Sequence, residues 1–413
     1  SIGGSMAEKK VIAVVFGGRS VEHDVSVLTG LQFLEALDPG IYTGLPVYVD
    51  PLGQWWTGDA LTKRGRYPIE NGSAKDLTAL TLDLATPASG QPQFISFQKS
   101  IMGEKRHSIP FDLMVPAIHG TNGEDGSLQG LLDFADIPYA GCRPLGAAAT
   151  MNKLFSKKIA REKGINSLPE LLLNRPEKGI FLDPETVQEQ VRDAFGRETY
   201  PLIVKPCNLG SSVGVSKAHD IDSLIAALMA AFRLDNDVII EPFVPNLVEY
   251  NIAVRRTADG TVQTSAIERP VREAELLDFK NKYLAGGNPG GPKLDAGPSE
   301  GMASLNRELN PSELTSEQET FIRESASQLF DALSLAGSVR IDFLADEKTG
   351  EIWLNEANTI PGSFGYFLWE AAANPISFLA LTSAIIEEGF TLSARRQGAT
   401  SADAGGATIF SRG

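Results

Sequence analysis

The chain contains 413 residues, enough for two or three domains of ordinary size. Hydrophobic residues make up 42% and charged residues 22%, as in a globular protein with sizeable cores. Because 52 acidic residues outnumber 37 basic ones, the net charge of −15 disfavours a general nucleic-acid-binding protein but permits a local basic pocket for phosphates.

Hydrophobicity and cysteine content indicate a cytoplasmic protein with no membrane partner. No stretch reaches the roughly 20 uninterrupted apolar residues of a membrane span. Cys142 and Cys207 are too few for a disulfide framework or a cysteine-rich metal site, so we expect a reducing compartment. Residues 1–6 are typical of an expression remnant, and we count the first domain from residue 7.

Residues 7–141 predict an α/β domain. Residues 11–16 form a continuous apolar run that ends in two glycines, which is typical of a buried parallel strand followed by a turn. A helix with apolar residues at helical spacing follows, and residues 46–49 and 113–118 predict further strands. Residues 57–105 alternate poorly and are rich in Gly, Ser and Pro, so we expect loops or an insertion there.

The pattern changes after residue 141 and predicts two α+β parts, at 142–241 and 242–395. The predicted elements are helices at 151–164, 221–232 and 316–335 and strands at 202–206, 238–241, 250–256, 262–268, 338–345 and 351–355. Residues 208–215 predict a glycine–serine turn between two strands. The tail at 396–413 is rich in Ser, Ala, Gly and Thr, and we expect it to be disordered.

The turn at 210–214, Gly-Ser-Ser-Val-Gly, has small residues, successive backbone N–H groups and two hydroxyls, all suited to phosphate oxygens. It is not a Walker A loop, because the Gly-Lys-Ser/Thr ending is missing. Lys153, near a helix start, and Lys205, at the end of an apolar strand, would add compact charges for a polyphosphate. The alternative to phosphate binding is that the turn is an ordinary hairpin turn and that the two lysines extend into solvent.

Three side chains with oxygen donors lie on or just beyond two strands expected to form a hairpin: Asp342, Glu356 and Asn358. Their neighbours are apolar, and burying such charges without partners would be costly. Mg²⁺ and similar hard cations take oxygen ligands, so metal binding is favoured over a solvated pair of acids. Arg340 points to the same sheet face as Asp342 and either stabilises a developing oxyanion or pairs with Asp342.

His119 and Glu22 are polar residues near the ends of predicted strands of the first domain. His119 follows the strand at 113–118, at the sheet edge where α/β proteins bind ligands; a structural hydrogen bond is the alternative. Glu22 stands at the start of the first helix, where an acid is favourable with the helix dipole. The segment lacks G-x-G-x-x-G, which excludes a dinucleotide-binding dehydrogenase.

These segments, in this order, resemble the D-alanine–D-alanine ligases of the ATP-grasp superfamily. The resemblance covers about residues 9–390. It is carried by residues 16–26 (FGGRSVEHDVS), 119–130 (HGTNGEDGSLQG), 151–153 (MNK), 204–206 (VKP), 210–214 (GSSVG), 282–283 (KY), 340–342 (RID) and 355–362 (NEANTIPG). One such segment can arise by chance, whereas the whole series is specific.

The resemblance implies an ATP-grasp fold of the α/β and α+β classes with an N-terminal parallel-sheet domain at 7–141. Subdomains at 142–241 and 242–395 would grip ATP between them. In the family's reaction the carboxylate of the first D-alanine attacks the γ-phosphate of ATP. The amine of the second D-alanine then attacks the acyl phosphate, and phosphate leaves. We therefore expect ATP as co-substrate, two Mg²⁺ ions with Mn²⁺ as the alternative, and a homodimer.

By matching position, the resemblance assigns residues to ATP and to the metal ions. The implied ATP contacts are Lys153, Lys205, Ser211, Ser212, Glu241, Pro242, Val244 and Glu249. Pro242 lacks a backbone N–H but keeps its carbonyl, so it remains compatible with backbone contacts to adenine. The implied metal ligands are Asp342, Glu356 and Asn358.

Arg340 and the backbone N–H of Gly362 match the groups that stabilise the tetrahedral oxyanion in the family. Glu22 matches the residue that anchors the ammonium of the first D-alanine, and His119 matches one near its carboxylate.

Glu22, Ser211 and Tyr283 match a hydrogen-bonded set that locks a mobile loop around residues 275–290 over the site. Lys282 belongs to the same loop and is expected to bind substrate. Closure of the loop would exclude water, which otherwise hydrolyses the acyl phosphate.

The segment after Gly362 departs from the family pattern, which usually reads Met/Phe-Thr-x-x-Ser-Leu. That serine holds the carboxylate of the second substrate, and Phe367 stands at its position here. Either Ser363 or Tyr366 takes over the contact, or the second pocket is different and more apolar. All three are therefore candidate substrate-binding residues.

The leading hypothesis is a D-alanine–D-alanine ligase of peptidoglycan precursor synthesis. The first alternative uses a different acceptor, namely D-lactate, D-serine or another amino acid; Tyr283, which matches dipeptide-forming members, favours an amine. The second alternative is a non-catalytic nucleotide-binding regulator. The complete metal-ligand set together with Arg340 stands against it, since a mere binder needs no oxyanion arginine.

Overall fold

Three β-sheets follow one another along the chain in this computed structural model, which describes residues 8–70, 75–179, 181–196, 200–210, 212–270 and 307–397, and the backbone to residue 400. The first sheet contains parallel strands and the two later sheets are antiparallel, so the predicted α/β and α+β fold class is confirmed.

The first sheet contains β1 (Lys10–Gly17), β2 (Tyr42–Val49), β3 (Trp55–Thr57), β4 (Thr78–Leu82), β5 (Gln93–Ser100), β6 (Gly103–Pro110) and β7 (Leu113–Pro116). The strand order is β6-β5-β4-β3-β2-β1-β7. β1 pairs in parallel with β2 and β7, and β3 to β6 extend the sheet in antiparallel fashion. Both faces of β1 are buried, which explains its continuous apolar run. Helices α1 (His23–Glu35) and α2 (Ser127–Phe134) belong to this part.

Residues 57–105 include β4, β5 and the start of β6, so the expectation of loops is wrong for those segments, whereas an insertion remains a prediction. β6 is the edge strand of the sheet and β5 lies next to it. Much of each strand faces solvent, so neither shows the apolar alternation of a half-buried strand. Phe94 anchors the hairpin: it is buried and stacks on Phe111 with ring centroids 4.9 Å apart.

The second sheet is antiparallel and contains β8 (Leu171–Asn174), β9 (Leu202–Pro206), β10 (Ser216–Ala218) and β11 (Asp237–Pro242), in the order β10-β9-β11-β8. Helices α5 (Pro184–Phe195) and α6 (Ile221–Phe232) pack on it. Before this sheet come α3 (Pro144–Met151) and α4 (Lys153–Glu162). They divide at Asn152, whose side chain accepts the N–H of Phe155 and caps α4. β9 and β10 enclose the predicted turn at 208–215.

The third sheet contains β12 (Leu247–Arg256), β13 (Val262–Pro270), β14 (Arg307–Leu309), β15 (Val339–Asp346) and β16 (Ile352–Asn358), in the order β14-β13-β12-β15-β16. Helix α7 (Ser316–Ala332) packs against β12 and β13. β15 and β16 form the predicted hairpin, in which Asp342 pairs with Glu356 and Arg340 with Asn358.

The last part of the chain returns to the first sheet. A 3₁₀ turn (Gly362–Gly365) leads into α8 (Tyr366–Glu370) and then α9 (Phe378–Thr400). Leu381 and Ile385 of α9 share a hydrophobic core with Ile12 and Leu113 of the first sheet. None of the helices in the described residues is long and apolar enough to cross a membrane.

Helix α9 continues to Thr400, so the expectation of disorder from residue 396 is wrong for residues 396–400. Ala, Arg and Gln in this stretch are good helix formers. Arg396 also lies close to α2, with its Nε 3.4 Å from Oδ1 of Asp133. Residues 401–413 lie outside the described residues.

Candidate active site

A cavity of about 630 Å³ lies where α1, the third sheet and the segment after Pro361 meet. Many residues predicted from the sequence line it: Ser212, Glu249, Arg340, Asp342, Glu356, Asn358, Gly362, Ser363, Tyr366 and Phe367. Helix α1 contributes Val25, Leu28, Thr29 and Gln32. The structure therefore brings together residues that are more than 300 positions apart in the chain.

The hairpin of β15 and β16 holds the predicted metal ligands at one end of this cavity. Arg340 grips Asp342 through two hydrogen bonds, Nε to Oδ1 at 2.8 Å and Nη2 to Oδ2 at 2.9 Å. Nδ2 of Asn358 donates to Oδ2 of Asp342 at 3.0 Å. Burial raises the pKa of Asp342 to about 6; Arg340 opposes this rise, and the nearby carboxylate of Glu356 adds to it. The cluster therefore favours an additional cation.

The donor set fits a hard divalent cation. Asp342 and Glu356 supply carboxylate oxygens, and Asn358 supplies an amide oxygen, which are ligands that Mg²⁺ accepts while it keeps phosphate oxygens or water in its shell. A carboxylate offers about four lone pairs, so Asp342 can accept from Arg340 and still bind a metal. In the described part of the chain no three His, Cys, Asp or Glu side chains lie together as a possible metal site. The predicted site therefore needs the amide oxygen of Asn358 as its third ligand.

Lys153 and Lys205 both point inwards, and the alternative of lysines that extend into solvent is wrong for them. Lys153 is 8% exposed; its Nζ donates to the carbonyl of Leu209 and lies 4.0 Å from Oε2 of Glu356. Nζ of Lys205 donates to Oδ1 of Asn355 at 3.0 Å. Both lysines therefore reach β16, next to the predicted metal ligands.

Glu241 is buried between two lysines. Its Oε1 lies 2.5 Å from Nζ of Lys205, and its Oε2 accepts from Nζ of Lys157. Burial would raise the pKa of Glu241, but the charges of Lys205 and Lys157 outweigh it, and the pKa is lowered. Sequence reasoning missed Lys157, although it stands four residues after Lys153 on the same side of α4. Contacts of Glu241, Pro242 and Val244 with adenine remain predictions.

The glycine–serine turn lies against the start of α1. A Cβ added at Gly210 would lie 3.4 Å from Oε2 of Glu22, and one added at Gly120 would lie 2.6 Å from the same oxygen. Glu22 thus lies between the turn and the loop after His119. Gly214 has a φ of +73°, and a Cβ there would meet Pro206 at 2.8 Å, so this position requires glycine.

The structure does not place three of the predicted residues. Ser211, Lys282 and Tyr283 lie outside the described residues. The proposed set of Glu22, Ser211 and Tyr283 therefore remains a prediction, as does the role of Lys282.

His119 is buried behind the wall of the cavity. Its Nε2 lies 2.9 Å from Oγ1 of Thr29, and that oxygen accepts the backbone N–H of Ser363 at 3.1 Å. Its Nδ1 lies 3.6 Å from Oε1 of Glu124. His119 therefore acts on the cavity through Thr29 and Ser363. Sequence reasoning missed Glu124, although it stands in the same segment as His119.

The predicted second-substrate residues lie in the turn after Pro361 and at the start of α8. Ser363 adopts a φ of +53°, and its hydroxyl donates to Oε1 of Gln32. Tyr366 stacks on Phe378 with ring centroids 4.4 Å apart and meets Phe367 edge-on at 5.4 Å. The ring of Phe367 faces the guanidinium of Arg307, whose Cζ lies 3.5 Å from the ring centroid. Arg307 was not predicted from the sequence.

Comparison with known proteins gives a family for this architecture. Family models of the D-ala D-ala ligase N-terminus and C-terminus match residues 11–142 and 159–387. The D-alanine–D-alanine ligase of Acetivibrio thermocellus is 33% identical over 393 residues, which cover 92% of this chain and 96% of that protein. The chain belongs to the D-alanine–D-alanine ligase family.

Another member of the family, the D-alanine–D-alanine ligase of Ruminiclostridium cellulolyticum, is 34% identical over 376 residues, covering 90% of this chain and 93% of that protein. The structure of the D-alanine–D-alanine ligase from Coxiella burnetii shares the fold, with a TM-score of 0.70 and 24% identity over 95% of this chain and 99% of that one. The predicted family, fold class and ligase function are confirmed.

Proposed function

We propose that this chain is a cytoplasmic, homodimeric ligase that uses ATP and Mg²⁺ to join two D-alanine molecules for peptidoglycan precursor synthesis. One observation carries the proposal: the carboxylates of Asp342 and Glu356 lie beside Arg340 on a single hairpin, and Lys153 reaches the same hairpin from α4. A site with these charges suits a polyphosphate, a divalent cation and a developing oxyanion together.

The first chemical step forms a bond between the carboxylate oxygen of one D-alanine and the γ-phosphorus of ATP, and ADP leaves. Lys153 and Lys205 would neutralise the charge of the phosphate oxygens. Ser212 lines the cavity, and the glycine–serine turn that carries it would close over the phosphates. Asp342, Glu356 and Asn358 would hold Mg²⁺, which neutralises the charge of the transferring phosphoryl group when it is bound.

The second step forms the peptide bond. The amine of the acceptor attacks the carbonyl carbon of the acyl phosphate, loses a proton, and phosphate leaves with the electrons of the broken C–O bond. Arg340 and the backbone N–H of Gly362 would stabilise the negative charge on the carbonyl oxygen. Glu22 would pair with the ammonium of the first D-alanine, and the His119–Thr29 contact would fix the turn that carries Gly362 and Ser363.

The test is ATP-dependent phosphate release with D-alanine alone and with D-alanine plus D-serine, D-lactate or other D-amino acids, with each product identified by mass spectrometry. We expect D-alanyl-D-alanine as the main product. A depsipeptide or a mixed dipeptide as the main product would show that the acceptor is not D-alanine. Absence of phosphate release with every acid would overturn the proposed ligase activity. Size-exclusion chromatography with light scattering tests the dimer.

A further inference from the structure

Arg307 lines the cavity that also contains the predicted metal ligands. It is the first residue of β14, and its Nη1 donates to Oε2 of Glu268 on β13 at 2.9 Å. Oε1 of Glu268 accepts in turn from Nδ2 of Asn251 at 3.2 Å. The guanidinium lies over the ring of Phe367, so an ion pair and an aromatic face together define its position.

The chemistry of this position is that of a carboxylate-binding group. A guanidinium carries five N–H donors in a planar fork, so an ion pair made through Nη1 is compatible with a second carboxylate. Its side chain is 18% exposed, and that of Glu268 is 5% exposed, so the charges act with little screening by water. Two arginines line the cavity in the described chain, Arg307 and Arg340, and Arg307 is the one whose guanidinium lies against Phe367.

We propose that Arg307 binds the carboxylate of the acceptor substrate, with Phe367 as its aromatic support and Glu268 as a positioning residue. The inference rests on the proposed function, because it names the acceptor site of the same ligase. The resemblance implies a serine that holds this carboxylate at the position of Phe367, and the ring found there lies against the guanidinium of Arg307. The hydroxyl of Ser363 donates to Gln32, so Arg307 is better placed for this role than Ser363.

A competition between two acceptors tests the assignment. D-Alaninamide keeps the attacking amine of D-alanine but lacks the carboxylate, and it cannot serve as the first substrate. With both compounds and ATP present, the ratio of D-alanyl-D-alaninamide to D-alanyl-D-alanine measures how strongly the enzyme recognises the acceptor carboxylate. The ratio does not depend on the amount of active protein.

Arg307→Gln combined with Glu268→Gln replaces the ion pair by two neutral amides and leaves no buried unpaired charge. We expect this double variant to raise the amide-to-dipeptide ratio at least tenfold, and Arg307→Lys to give an intermediate ratio. Arg269→Gln is the matched control, since Arg269 is on the same strand as Glu268 but pairs with Glu313 and does not line the cavity. Its ratio should equal that of the wild type.

An unchanged ratio in the double variant, with both products reduced equally, would overturn the role of Arg307 and leave the proposed function intact. A wild-type protein that forms neither product would overturn the proposed function itself.

Discussion

Oε2 of Glu124 accepts the backbone N–H of Ile360 at 3.2 Å, although the two residues are 236 positions apart. Oε1 of the same carboxylate accepts the N–H of Gly120 at 2.9 Å. One side chain therefore connects the loop after His119 to the segment that leads to Gly362. Both backbone groups are donors, so only a side chain that accepts at both positions can satisfy them.

Glu124→Gln puts an amide N–H₂ group against one of these donors. We expect kcat/KM to fall about tenfold, corresponding to the loss of roughly 1–2 kcal/mol from one charged hydrogen bond, while the KM for ATP stays the same. Steady-state kinetics measure this. Asp125→Asn is the control, since Asp125 accepts only from Asn122 and Ser127 within its own loop in the described structure. Full activity of Glu124→Gln would show that the connection is not needed.

Glu356→Gln removes a charged oxygen from the proposed metal site. We expect turnover to be lost at ordinary Mg²⁺ concentrations while the protein remains folded, because a neutral amide is a much weaker ligand for a hard cation. Phosphate release measures turnover, and circular dichroism shows whether the protein is folded. Glu351→Gln, a change at an exposed residue just before β16, should leave both unchanged. Near-normal phosphate release by Glu356→Gln would remove Glu356 from the mechanism.

Glu241→Gln should lower the free energy of unfolding at pH 7 by roughly 3–5 kcal/mol, because Lys157 and Lys205 lose their buried counter-charge. The pKa of Glu241 is lowered in the folded protein. The stability that it contributes is therefore fully present above its unfolded pKa and is lost as the pH falls through the lower folded value. Urea denaturation at a series of pH values checks this. The difference between wild type and variant should shrink below about pH 4.5, and a constant difference would contradict the assignment.

Phe367→Leu keeps an apolar side chain but removes the aromatic face under Arg307. A cation–π contact contributes about 0.5–2 kcal/mol, so we expect the KM for the second D-alanine to rise roughly twofold to thirtyfold. The KM for ATP should not change. Phe367→Tyr retains the face and serves as the matched control. Equal kinetic constants for Phe367→Leu and the wild type would show that the ring does not support Arg307.

Some of this site follows from local sequence pattern. Two short apolar strands joined by a turn predict a hairpin. In such a hairpin the two strands pair, so Asp342 on the first strand and Glu356 at the end of the second could be predicted to lie together. The bulge between Asp342 and Phe343 was not predictable, since the apolar pattern does not record an extra residue in one strand.

Contacts between distant segments could not be predicted in the same way. Arg307 meets Phe367 through the pairing of β14 with β13 and the position of α8, and neither is encoded by residues near Arg307. Lys157, one of the two partners of Glu241, was also missed, because a lysine on a helix shows no preference for one distant carboxylate until the helix is packed. The edge strand β6 and the second half of β5 lack a sequence signal for a physical reason, since their exposure to solvent permits polar residues at successive positions.

The packing of α9 against β1 and β7 has a consequence for the order in which the protein folds on the ribosome. The strands that emerge first bury one face against Leu381, Ile385 and Ile386, which are translated more than 260 residues after Leu113. The N-terminal sheet therefore cannot complete its core until residues 378–386 have been translated. A nascent chain cut short before residue 378 exposes that apolar face and becomes a substrate for chaperones and proteases.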